Sequence, residues 1–201
     1  MHHPAFFDEV RRMTLVDPLA AFLGAAEGGF VEYTYRDAVN LAGHSCPTVA
    51  GAYLMILKSL EYLYPEAIPE RGAIKVSFHE HLTTGVTGVM ASIATLITGA
   101  TLDSGFKGLG GRFDRRNLLS FNADITGEMR LERTDTGTAV IAAFHPECVP
   151  PAPAMRALMP LVLSGVAGDE EQKEFGRLWQ DRVKRLLIDH ADDPDLVVLT
   201  R

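Results

Sequence analysis

His44 and Cys46 stand two residues apart in the segment Gly43-His44-Ser45-Cys46-Pro47, one of only two places where the chain has a cysteine. An imidazole nitrogen beside a thiolate sulfur suits a transition metal of zinc's type, although a His-x-Cys pair supplies only half of a tetrahedral set. Pro47 fits the first position of a helix, which places Cys46 at the N-cap. There its sulfur meets free backbone N–H groups and the positive end of the helix dipole. The same geometry would serve a nucleophilic thiol with His44 as its base. The bland alternative is a packed loop.

A second group lies further along. Residues 73–81 alternate, with Ile74, Val76 and Phe78 on one face and Lys75, Ser77, His79 and His81 on the other. On a strand, His79 and His81 would face the same way and could address one ion; otherwise they are surface histidines at a strand end. His145-Pro146-Glu147-Cys148 has a spacing that also suits a metal, or forms a rigid exit loop. The glycine-rich stretch 105–113 matches neither the phosphate-binding loop nor the dinucleotide fingerprint, so a tight turn or lid is expected there. Arg112, Arg115 and Arg116 beside it are candidate clamps for a carboxylate or phosphate.

The elements that must position these residues follow from periodicity and punctuation. Helices are expected over 8–15 and 17–26, the second opened by Asp17-Pro18, then a strand over 30–35 and a short helix over 35–41 ended by Gly43. Residues 47–63 carry Val49, Tyr53, Ile56, Leu57, Leu60 and Leu63 at helical spacing. After the strand over 73–81, a second buried helix spans 85–98 and ends at Gly99. Strands are expected over 118–121, 127–133 and 138–144, the last two joined by the turn Thr134-Asp135-Thr136-Gly137. Beyond the prolines at 150–153 the pattern is helical over 154–164 and 169–188, with a terminal strand over 196–199. This order predicts an α+β fold: a mixed or antiparallel sheet packed with two buried helices, plus a C-terminal helical segment. Residues 1–150 form the core and 151–201 the helical extension.

Composition narrows the function classes. The chain has 201 residues, 47% hydrophobic and 22% charged, enough for one full core. Its net charge of −7 argues against a nucleic-acid partner, which would select a basic face. No apolar run reaches the roughly 20 residues of a membrane span, and no signal-peptide pattern opens the chain. A cytoplasmic protein with both thiols reduced is expected. His2 and His3 are assigned no role.

Gly43-His44-Ser45-Cys46-Pro47, followed by Ala50-Gly51 and Tyr53, resembles the Gly-His-x-Cys-Pro-Gly motif of the FmdE family, named for a component of formylmethanofuran dehydrogenase. Ile97-Thr98-Gly99-Ala100-Thr101, then Gly105 and Asn117-Leu118-Leu119, resembles the family's Thr-Gly-Cys-Thr segment and the glycine loop after it. The resemblance covers roughly residues 35–144 and implies an α+β core, frequently a homodimer, with a metal-associated pocket at His44 and Cys46. The pattern also departs from the family. Thr48 replaces a glycine, Ala100 stands where a cysteine would be, Gly85-Val86-Thr87-Gly88 replaces a Cys-x-x-Asp signature, and Cys148 alone cannot build a C-terminal zinc finger. An FmdE-like protein is therefore expected to bind zinc or another transition metal through His44 and Cys46, with His79 or His81 as further ligands, and to bind or transform a small molecule. The alternatives are a metal-free enzyme with Cys46 as nucleophile and His44 as base, and a non-catalytic accessory protein that docks through the helices after Pro153.

Overall fold

The computed structural model describes residues 3–201; His2 lies outside them. In chain order the elements are β1 (Met13–Val16), α1 (Pro18–Phe22), β2 (Phe30–Tyr33), α2 (Tyr35–Ala42), α3 (Pro47–Leu63), β3 (Ile74–Phe78), α4 (Thr87–Thr98), β4 (Leu119–Ser120), β5 (Met129–Arg133), β6 (Ala139–Phe144), α5 (Pro153–Leu163), α6 (Asp169–Lys184) and β7 (Val197–Thr200). The fold is α+β. A five-stranded sheet runs β4-β3-β5-β6-β7, with β4 parallel to β3 and every other pair antiparallel, and β1 and β2 form a separate antiparallel ribbon. No helix among the described residues is long and apolar enough to cross a membrane.

Alternation decides which face of the sheet is covered. Ile74, Val76, Phe78, Met129, Leu131, Val140 and Ala142 are buried beneath α3 and α4. The opposite face carries Lys75, Ser77, Arg130 and Glu132, where Glu132 pairs with both Lys75 and Arg130. Twelve of the seventeen residues of α3 are buried, so it is a core helix. The C-terminal segment enters the same core: Val183, Leu186, Leu187 and Leu196 join the main cluster, and β7 pairs with β6.

Two expectations for the N-terminal segment fail. Residues 8–15 are not a helix, because Met13 and Leu15 turn inward on β1 while β2 supplies its backbone partners. The helix expected over 17–26 shrinks to α1. Asp17 caps it as expected, accepting the Leu19 and Ala20 N–H groups.

Candidate functional site

The directions of α3 and α4 bring the chemistry to one end of the sheet. The carbonyl of Leu63, at the C-terminus of α3, accepts from Arg133 Nη1 at the far end of β5, and Gly51 near its start packs on the Phe144 ring at the end of β6. Likewise the Gly72 N–H, just before β3, donates to Thr98 O at the C-terminus of α4. Both helices therefore begin where β3 and β6 end and where β5 starts. That end holds Cys46 at the N-cap of α3, His79 just past β3, Glu128 just before β5 and His145 just past β6.

A cleft of about 340 Å³ opens there. His79, Glu80, Thr87, Met90 and Glu128 line it, with the uncapped first turn of α4 on one wall. The His79 N–H donates to Glu128 O at 3.1 Å, and the Phe144 N–H donates to Glu128 Oε2 at 2.8 Å, which fixes the carboxyl between two strand ends. Burial pushes the Glu128 carboxyl above its usual range, against the Phe144 N–H and nearby His145, which favour the ionised form. A carboxyl that keeps its proton to higher pH inside a cleft can deliver that proton to a bound molecule and take it back.

The loop before α3 is held from both sides. Tyr35 O–H donates to Ser45 Oγ at 3.0 Å, and Ser45 Oγ donates to Gln180 Oε1 at 2.9 Å. Trp179 Nε1 donates to Ser45 O at 2.9 Å, so α6 clasps the loop from the C-terminal side. His44 Nδ1 donates to the Ala42 carbonyl at 2.9 Å. Cys46 is a free thiol, half-buried, in extended backbone, and its side chain caps nothing.

The four expected ligands do not assemble. Among the described residues no group of three or more His, Cys, Asp or Glu side chains stands close enough to hold a metal. β3 ends at Phe78 rather than continuing through residue 81, so the strand alternation needed to align His79 with His81 is absent. His79 faces the cleft, while His81 Nδ1 accepts from the Thr83 N–H at 3.3 Å in the following turn. His44 and Cys46 thus amount to half of a zinc site and do not fit a complete one within a single chain. His145 Nδ1 instead meets Glu147 Oε1 at 3.2 Å, and Cys148 Sγ meets Asp195 O at 3.5 Å.

Sequence patterns do not single out Glu128, because it is one of two acids in the charged segment Gly127-Glu128-Met129-Arg130-Leu131-Glu132-Arg133 and nothing local separates it from Glu132. Nor do they reveal the triad of Asp17, Arg71 and Arg115, because residues this far apart meet only through topology. Arg71 Nη1 and Arg115 Nη2 share the Asp17 carboxylate at 2.9 and 2.6 Å. Comparison with family models, with curated proteins and with solved structures finds no match for this chain.

Proposed function

We propose that the chain binds a small oxygen- or nitrogen-bearing molecule in the cleft where α4 begins, and transforms it by proton transfer through Glu128. The meeting of the α4 N-terminus, His79 and a buried carboxyl with a raised pKa in one cleft supports this function. In this reading Glu128 holds and returns the proton, His79 orients the polar end of the ligand, and Met90 and Val86 pack its apolar part. The Gly-His-x-Cys-Pro segment supports placing the chain among FmdE-like proteins. A ligand-observed NMR screen of small carboxylates, amides and alcohols tests the proposal. Hits that lose binding in both Glu128→Gln and His79→Ala support it, and hits that bind both variants as tightly as the parent overturn it.

A second reading is a zinc or other transition-metal site on His44 and Cys46, completed from outside the chain by a ligand or by a second copy in a homodimer. The bond from His44 Nδ1 to the Ala42 carbonyl favours it, because metal-binding histidines characteristically donate their other ring N–H to such a partner. Metal content measured by mass spectrometry on chelator-free protein tests it. Near-stoichiometric metal that disappears in Cys46→Ser supports this site, whereas metal-free protein, or metal retained by the variant, removes it.

A further inference from the structure

The opposite end of the sheet holds a larger cavity, of about 500 Å³, between the start of β3 and the loop 112–115. Three arginines line it, Arg71, Arg112 and Arg115. Two of them are fixed. Asp17 accepts from both Arg71 and Arg115, and Arg71 also donates through Nε and Nη2 to the Ile97 and Leu96 carbonyls at the end of α4. One carboxylate between two guanidinium groups leaves a net positive charge in a poorly solvated place, since the Asp17 and Arg115 side chains are each only 7% exposed.

Arg115 Nη1 is buried and has no hydrogen-bond partner among the described residues. It lies against Gly72, a wall residue of the same cavity with φ +89°, where a Cβ would stand 1.9 Å from that nitrogen. Only glycine leaves room for the guanidinium there. A buried cationic donor without an acceptor is costly, and a small movement of the Arg115 side chain toward the cavity would let a bound acceptor relieve the cost.

The rim adds an apolar surface. Phe113 holds φ +63°, a left-handed conformation that a bulky side chain rarely adopts, and its ring packs on the exposed Phe22 ring with centroids 5.4 Å apart. Arg112 Cζ lies 4.6 Å over the Phe113 ring, and Arg112 has no ion-pair partner among the described residues. Two carboxylates also line the cavity. Asp114 is already held by Arg116 at 2.7 Å, which leaves Glu70 and the buried Asp17 as the two acids set against three arginines.

We propose that this cavity is a second ligand site, taking a small oxyanion, carboxylate or phosphoryl, attached to a planar apolar body. The oxyanion sits on the guanidinium groups of Arg112 and Arg115, and the body stacks on Phe113 and Phe22. The site is independent of the cleft at Glu128, from which it is separated by the length of the strands.

Isothermal titration calorimetry with inorganic phosphate, phenyl phosphate and benzoate tests this. Phenyl phosphate or benzoate should saturate at millimolar concentration, and the two arms separate a phosphoryl from a carboxylate ligand. The better of the two should bind about tenfold more tightly than inorganic phosphate, as the stacked ring contributes. Arg112→Ala, exposed and outside the buried triad, should weaken it about tenfold. Glu128→Gln should change nothing, so failure at one site is distinguishable from failure at the other. Arg115→Lys keeps the charge but loses the fork, and should weaken binding even where melting shows the fold intact. Absence of saturable binding to both organic probes, or equal affinity in Arg112→Ala, overturns the proposal.

Discussion

Replacing Gly51 by alanine sets two effects of opposite sign against each other. Alanine is the better helix former by about 1 kcal/mol in a helix interior. A Cβ at Gly51, however, would stand 2.4 Å from Phe144 Cδ1 and Cε1 and 2.8 Å from Cγ. Carbon atoms rest at about 3.5–4.0 Å, so the ring would have to retreat by roughly 1 Å. It cannot take its backbone along, because Phe144 pairs with Val197 and its N–H is bonded to Glu128 Oε2. Overpacking of this kind costs about 1–3 kcal/mol, so a net loss of about 1 kcal/mol is expected, or about 2–4 °C in Tm for a chain of this length. Gly176 on α6 supplies the control: a Cβ there meets nothing within 4 Å. Gly176→Ala should raise Tm by a similar amount, since only the helix preference remains. Thermal unfolding by calorimetry on the two variants decides. Shifts of the same sign would refute the claim that contact with the β6 ring, rather than helix propensity, controls position 51.

Other expectations follow from the same packing and charges. Asp17→Asn removes the one anion between two guanidinium groups and should destabilise the fold by about 3–5 kcal/mol, read by denaturant unfolding. Desolvation raises the Asp17 pKa, but the Arg71 hydrogen bond and the Arg115 charge outweigh it and hold the carboxyl below its ordinary value. Its contribution is therefore present above the unfolded carboxyl pKa of about 3.9 and is lost as pH falls through the lower folded value. Glu128 has the opposite sign: its raised pKa favours the fold below the unfolded value of about 4.3, an advantage lost as pH rises through the folded value. The stability of the parent relative to Glu128→Gln should accordingly fall between acidic and neutral pH. Burial and the neighbouring Glu147, Asp193 and Asp195 push the Cys148 thiol up, so mapped alkylation should find this exposed cysteine slow at neutral pH and faster in alkali. Trp179, the single tryptophan, donates to Ser45 O, so its emission should respond to any ligand or metal that moves His44 or Cys46, and stay unchanged on titration of the arginine cavity.

The long helices are legible in the sequence, and the short elements are not. The apolar stripe of α3 and its Pro47 start put its bounds at 47–63, and Gly43 and Gly99 stop α2 and α4 in left-handed conformation as their residue type requires. β1 reads as helix because four residues carry too little periodicity to separate the two patterns, and only pairing with β2 decides. The site is legible in its residue types and not in its assembly. His79 and Cys46 do lie toward the same end of the sheet, but that follows from helix direction, which no local pattern encodes. Aligning His81 with His79 requires the strand to run on past Phe78, its last ladder residue. Glu128 stays hidden because its importance comes from burial and the Phe144 N–H, both products of sheet order.

A carbon-13 titration of the Glu128 carboxyl tests the central claim most directly. The midpoint should lie above the ordinary glutamate range and move further when a small molecule binds the cleft, with no such movement for ligands of the arginine cavity. An ordinary midpoint, indifferent to every ligand that binds the protein, would contradict it.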